Sequence, residues 1–169
     1  MSHSMATDPF TAASSAILKA LQSCSAFAAI VRPGNLIDMT AGSFERFKGQ
    51  LQASDTPEVV LLPEAFELQP FGGNSRVASL SQSYQLVATH ESLRVTPVNA
   101  LKYAAMAALL RAGPDLGLGG LVRSWEIRQG RDDAFGQPQW RRATQRWVSV
   151  MSIVVHMELD RSVILSTQP

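Results

Sequence analysis

Only one cysteine, Cys24, occurs in the 169 residues, so the chain can close no internal disulfide and build no multi-cysteine metal site. Charge is also scarce. Asp, Glu, Lys and Arg make up 17%, against about 25% in an average domain. A surface so thinly charged suits a chain partly covered by other subunits. Lysine is rarer still: Lys19, Lys48 and Lys102 stand beside twelve arginines. Arginine's planar fork favours carboxylate and aromatic contacts, and so interfaces. The net charge of +1 gives no overall pull toward nucleic acid or membrane. No apolar run approaches the roughly 18–20 residues that span a bilayer. Residues 1–6 lack the basic-then-apolar order of a signal peptide. A soluble chain made in a cytoplasm is expected. Residues 1–7 are expected to be a disordered or appended end, and 8–169 a single domain large enough for its own core.

Asp8 and Pro9 mark a helix start, and Phe10, Ala13, Ile17, Leu21 and Cys24 follow at helical steps. This predicts an amphipathic helix reaching about Ile30, before the turn Pro33-Gly34-Asn35. The pattern from Leu36 to Thr56 is poor and reads as a loop with a turn or two of helix. Val59–Leu62 predicts a short buried strand closed by Pro63, with Ala65–Leu68 extended after it. Alternation at Tyr84, Leu86 and Ala88 predicts a half-buried strand ending near His90. Thr96-Pro97 opens a second helix, one face of which is Val98, Leu101, Ala105, Ala108, Leu109 and Ala112, and Gly113-Pro114 stops it. Leu121–Arg128 predicts a strand in which Arg123 interrupts the apolar face. Trp147–Leu159 is the longest strand signal, with Met151, Ile153, Val155 and Met157 on one side and a polar turn at His156 and Glu158 on the other. The expected fold is α+β: a mainly antiparallel sheet covered on one face by two helices, with a long hairpin arm.

Catalytic patterns are absent. The three histidines, His3, His90 and His156, never take the spacing that puts two ligands on one helical face. A cross-strand site joining His90, Glu91, His156 and Glu158 is conceivable, and surface polarity at strand ends explains these residues as well. No Gly-x-Ser-x-Gly elbow occurs. Gly117-Leu118-Gly119-Gly120 follows a helix, whereas a phosphate cradle precedes one. Asp132-Asp133 reads as a salt-bridged turn. No cofactor, metal site or enzyme activity is expected.

The segment between the last two strands stands out. It carries Arg128, Arg131, Arg141, Arg142 and Arg146, interleaved with Phe135 and Trp140. Hairpin loops usually take 2–5 residues, so a linker over 129–145 is long. Three readings are open: an arm reaching an adjacent subunit, a nucleic-acid contact with Arg on phosphate and Trp140 stacked on a base, or a solvated flap with Trp140 folded back.

The layout resembles the tail-terminator and tail-completion (neck) proteins of tailed bacteriophages and prophages. The resemblance lies in the opening helix Asp8–Ile30, Pro57-Glu58-Val59-Val60-Leu61-Leu62, the strand-to-helix unit Ser83–Ala112 and the closing hairpin Leu121–Leu159. It implies a virion subunit, assembled in the host cytoplasm, that forms a homo-oligomeric ring, commonly a hexamer. Such a ring caps the tail tube, joins it to the head-side connector and catalyses nothing. The arm Gln129–Gln145 and the stretch Phe44–Gln52 go beyond that layout.

Overall fold

The computed structural model describes residues 8–38, 57–69, 76–90, 95–128, 139–141 and 146–160. Residues 1–7, the stretch Phe44–Gln52, the tail Arg161–Ser166 and residues 129–138 and 142–145 of the expected arm lie outside the described residues.

Helix α1 spans Pro9–Ser23 and begins as the sequence implies, with the Asp8 carboxylate accepting from the Thr11 N–H at 2.8 Å. It ends before the expected Ile30. Cys24 is extended, and the chain restarts as the short α2, Ser25–Ala28. Serine competes locally with helical hydrogen bonding, and Ser23 Oγ donates to the Ala20 carbonyl at 3.1 Å just before the break.

Strand β1, Leu36–Asp38, runs parallel to β2, Glu58–Gln69, where a loop was expected at 36–38. Nor does Pro63 close β2. The strand continues to Gln69, and its register with β3, Val77–His90, shifts between Pro63 and Phe66. Beyond the β1 pairing only β3 flanks β2 among the described residues, so the missing N–H of Pro63 breaks no ladder. Gln82, buried opposite Phe66, donates its amide to the Glu64 carbonyl at 2.9 Å and so satisfies a group displaced by the bulge.

Helix α3 spans Val95–Ala112, two residues earlier than a Thr96 cap with Pro97 at the first helical position would place it. It stops at Gly113, whose φ of 86° is natural only for glycine. Successive turns from Gly113 to Leu121 carry the chain to β4, Val122–Arg128, and bury Leu116 in the core. Trp125 Nε1 donates back to the Gly113 carbonyl at 2.8 Å, tying β4 to the end of α3. Strand β5, Gln139–Arg141, and strand β6, Arg146–Asp160, complete the sheet.

The strands run in the order β1-β2-β3-β6-β4, and β5 also pairs β6. All pairings except β1–β2 are antiparallel, so the fold is α+β with a mixed sheet. Ile153 of β6 lies between Tyr84 and Ile127 and is fully buried. One core joins Ile17 and Leu21 of α1, Leu101 and Leu109 of α3, and Leu61, Tyr84, Ile153 and Met157 of the sheet. The alternate β6 residues face the other way. Val154 is buried there, whereas His156 and Glu158 are partly exposed.

Candidate functional site

On that second sheet face, three strands bring polar side chains into one chain of contacts. Ser81 of β3 stands opposite His156 of β6, and Ser124 of β4 opposes His156 from the other side. Ser81 Oγ lies 2.9 Å from His156 Nδ1, and His156 Nε2 lies 3.1 Å from Glu126 Oε1. Arg128 reaches the same Glu126 oxygen at 2.5 Å. The His156 hydrogen bond and the Arg128 guanidinium hold the Glu126 carboxyl below the ordinary carboxylate range. An ionised Glu126 only accepts, so His156 Nε2 carries a proton. In the neutral ring Nδ1 then accepts from the Ser81 hydroxyl.

Beside this chain, Arg123 pairs with Glu158 at 2.7 Å. The β4–β6 register shifts between Val122 and Ser124, so Arg123 sits at the bulge. This explains how the residue that interrupts β4's apolar face avoids the core. Ser81, Arg123, Arg128, His156 and Glu158 line an open groove of about 380 Å³, together with Glu67 and Ser79.

The residue types match a serine hydrolase triad, but the arrangement does not. In such a triad the serine meets Nε2 and the acid Nδ1, the reverse of the order here. Ser81 also lies between two paired strands, opposite Glu67 and His156, so the nearby main-chain N–H groups serve the sheet ladder. They are not gathered to hold an oxyanion. Each guanidinium facing the groove is matched by a carboxylate, which leaves a polar, nearly neutral surface.

The residues singled out from the sequence fall in several places. Arg128 ends β4, exposed and paired to Glu126. Trp140 and Arg141 lie in β5, where Trp140 stands opposite Trp147 and Arg141 opposite Arg146. A loop was expected at 139–141. Instead a three-residue strand closes onto the start of β6, because the chain beyond β4 still has free β6 edge to pair with. Arg131, Phe135 and Arg142 lie outside the described residues. The conceivable His90–His156 site does not form. His90 pairs with Trp147, at the far end of the β3–β6 ladder from His156. At about 3.4 Å per residue the two are roughly 30 Å apart. Glu91 lies outside the described residues.

Two apolar surfaces escaped the sequence reading. On α3, Tyr103, Met106 and Leu110 are 76%, 37% and 67% exposed. On the outer half of β2, Phe66 and Leu68 are 60% and 49% exposed. The first carried a readable signal, since α3 holds apolar residues around its whole circumference, a pattern typical of helices covered on every side. For the second, Ala65–Leu68 was expected to be extended, but because Pro63 reads as the end of the strand its continuation of β2 was missed.

No protein-family model matches the chain, and no curated protein matches it in sequence.

Proposed function

We propose that this chain is a structural subunit that works by assembling with copies of itself, as the tail-terminator and tail-completion proteins it resembles in layout do. In this reading the two long helices cover one sheet face. A hairpin arm rooted where β5 meets β6 reaches a neighbour, and Arg131, Phe135 and Arg142 belong to its contact surface. A ring of copies, a hexamer by the resemblance, ends a tail tube and meets the head-side connector, without catalysis.

The observation that carries the reading is the outer stripe of α3. An 18-residue helix whose core side is filled by Leu101, Ala105 and Leu109 also displays Tyr103, Met106 and Leu110 to solvent. Large apolar side chains gathered on one exposed face mark an interaction surface. The low charge content supports the same reading. The test is size-exclusion chromatography with light scattering, followed by electron microscopy of the eluted particles. A discrete ring-shaped oligomer is expected, and a monomer at high concentration overturns the reading. Capsid, portal or tail-tube genes beside the coding sequence are expected for the phage assignment.

A further inference from the structure

The sheet face opposite the helices is buried at one end. Register places Ile37 of β1, Val60 of β2, Val87 of β3 and Val150 of β6 in one row across that face, with Glu58 in the next row. Their neighbours Val59 and Leu61 point the other way, into the core that α1, α2 and α3 fill. Yet within the single chain Ile37 is 6% exposed, Glu58 5% and Val60 2%. Further along the same face, Glu67 and Ser79 are exposed. A bare sheet face leaves its side chains in contact with water, so the β1 end of this face is covered. A carboxylate such as Glu58 is taken out of water only where a partner meets it.

We propose that the cover is the chain's own connection from β1 to β2, residues 39–56, laid across this face. The path of the chain carries the proposal. Strands β1 and β2 are parallel neighbours, so the chain leaving Asp38 travels back along both before it enters β2. Asn35, just ahead of β1, donates its amide to the Pro57 carbonyl at 3.4 Å, which fixes the return point beside the start of β1. The hand of the crossover then chooses the face. Strands β3 and β4 are both antiparallel to β6, hence parallel to each other, and α3 connects them on the core face. The step from β1 to β2 and the step from β3 to β4 run the same way across the sheet, but β1 and β2 point opposite to β3 and β4. Crossovers between parallel strands are almost always right-handed. One hand with opposite strand directions puts the two connections on opposite faces, so residues 39–56 fall where Ile37, Glu58 and Val60 are buried. The sequence of that connection suits the place. Phe44, Phe47 and Leu51 recur at three- and four-residue steps to meet the apolar row, and Arg46 and Lys48 supply cations for the Glu58 carboxylate. The proposal stands apart from the assembly reading, and it assigns the β1 end of this face to the chain itself rather than to a partner copy.

The test replaces Phe47 of the full chain with the photo-crosslinker benzoylphenylalanine, in a mixture of light and heavy-isotope-labelled protein. Irradiation is expected to join that position to peptides carrying Ile37, Val60 or Val87, within chains of one label. Crosslinks to α1 or α3 overturn the proposal. So do crosslinks between labels, which make a second copy the occupant. In urea melts, Phe44→Ser with Phe47→Ser is expected to lower the midpoint and to expose surface that binds a hydrophobic dye. Val60→Ala is expected to lower the midpoint too, and the triple variant to fall by less than the sum of the two. A Phe44/Phe47 variant that melts at the wild-type midpoint overturns the proposal, and a loss with Phe135→Ser in its place makes the arm the cover. Where the Phe44/Phe47 variant does not fold, the crosslink decides.

Discussion

The hydroxyl of Tyr84 donates to the main-chain oxygen of Phe10 at 3.0 Å, joining the middle of β3 to the first turn of α1 across 74 residues of sequence. A carbonyl in the first helical turn has its own helical acceptor role further along, so this bond is an added anchor between layers. Burial, with the charges of Asp8 and Asp38, raises the Tyr84 phenol well above its usual range. Tyr84→Phe should remove the anchor at a cost of about 1 kcal/mol, or roughly 2–4 °C in the thermal midpoint. Urea and thermal melts check this. In a Tyr103→Phe background, which leaves one tyrosine, phenolate absorbance is expected to appear only as the protein unfolds at high pH.

Asp8 holds the start of α1 through the Thr11 N–H, and the hydrogen bonds from Thr11 lower its carboxyl below 3.8. Since the folded value lies below the unfolded one, its stabilisation is present above about pH 4 and is lost as pH falls through the folded value. Asp8→Ala should cost about 1 kcal/mol at pH 7. The gap between variant and wild type is expected to narrow below pH 4, as measured by melts across that range.

Ile153 is fully buried on β6, between Tyr84 of β3 and Ile127 of β4. Ile153→Ala leaves a void that the strands on both sides cannot readily close. A loss of about 2–5 kcal/mol is expected from denaturant melts.

The Ser81–His156–Glu126 chain should be chemically quiet. Without gathered oxyanion donors, Ser81 is expected to form no adduct with a fluorophosphonate probe in intact-mass spectrometry, although its hydroxyl faces a histidine nitrogen at 2.9 Å. His156→Ala should change stability by less than about 1 kcal/mol, because the ion pairs around it are solvent-exposed.

Much of the frame was legible. Strict alternation over Met151, Ile153, Val155 and Met157 marked β6, and three- and four-residue steps marked α1 and the inner face of α3. The misses have local causes. Proline at position 63 reads as a stop unless the strand is known to lie at an edge. Gln139–Arg141 has no apolar alternation, and its extended form comes from the β6 edge beside it. The contacts of Ser81, His156 and Glu126 depend on a register between strands far apart in sequence, which no local pattern encodes. Arg123 looked like a defect because a bulge is not visible in a period-two pattern.

Strand β6, paired on both sides, is the last strand in sequence among the described residues. Strand β6 pairs with β3 from Trp147–His90 through Asp160–Val77, so the two middle strands of the sheet are separated by the whole of α3, β4 and β5. Contacts between such distant stretches form slowly, because a large loop must close before they form. A nascent chain therefore leaves the ribosome with the β3 edge unpaired until β6 has emerged, and a chain cut short before β6 keeps that edge open to other strands.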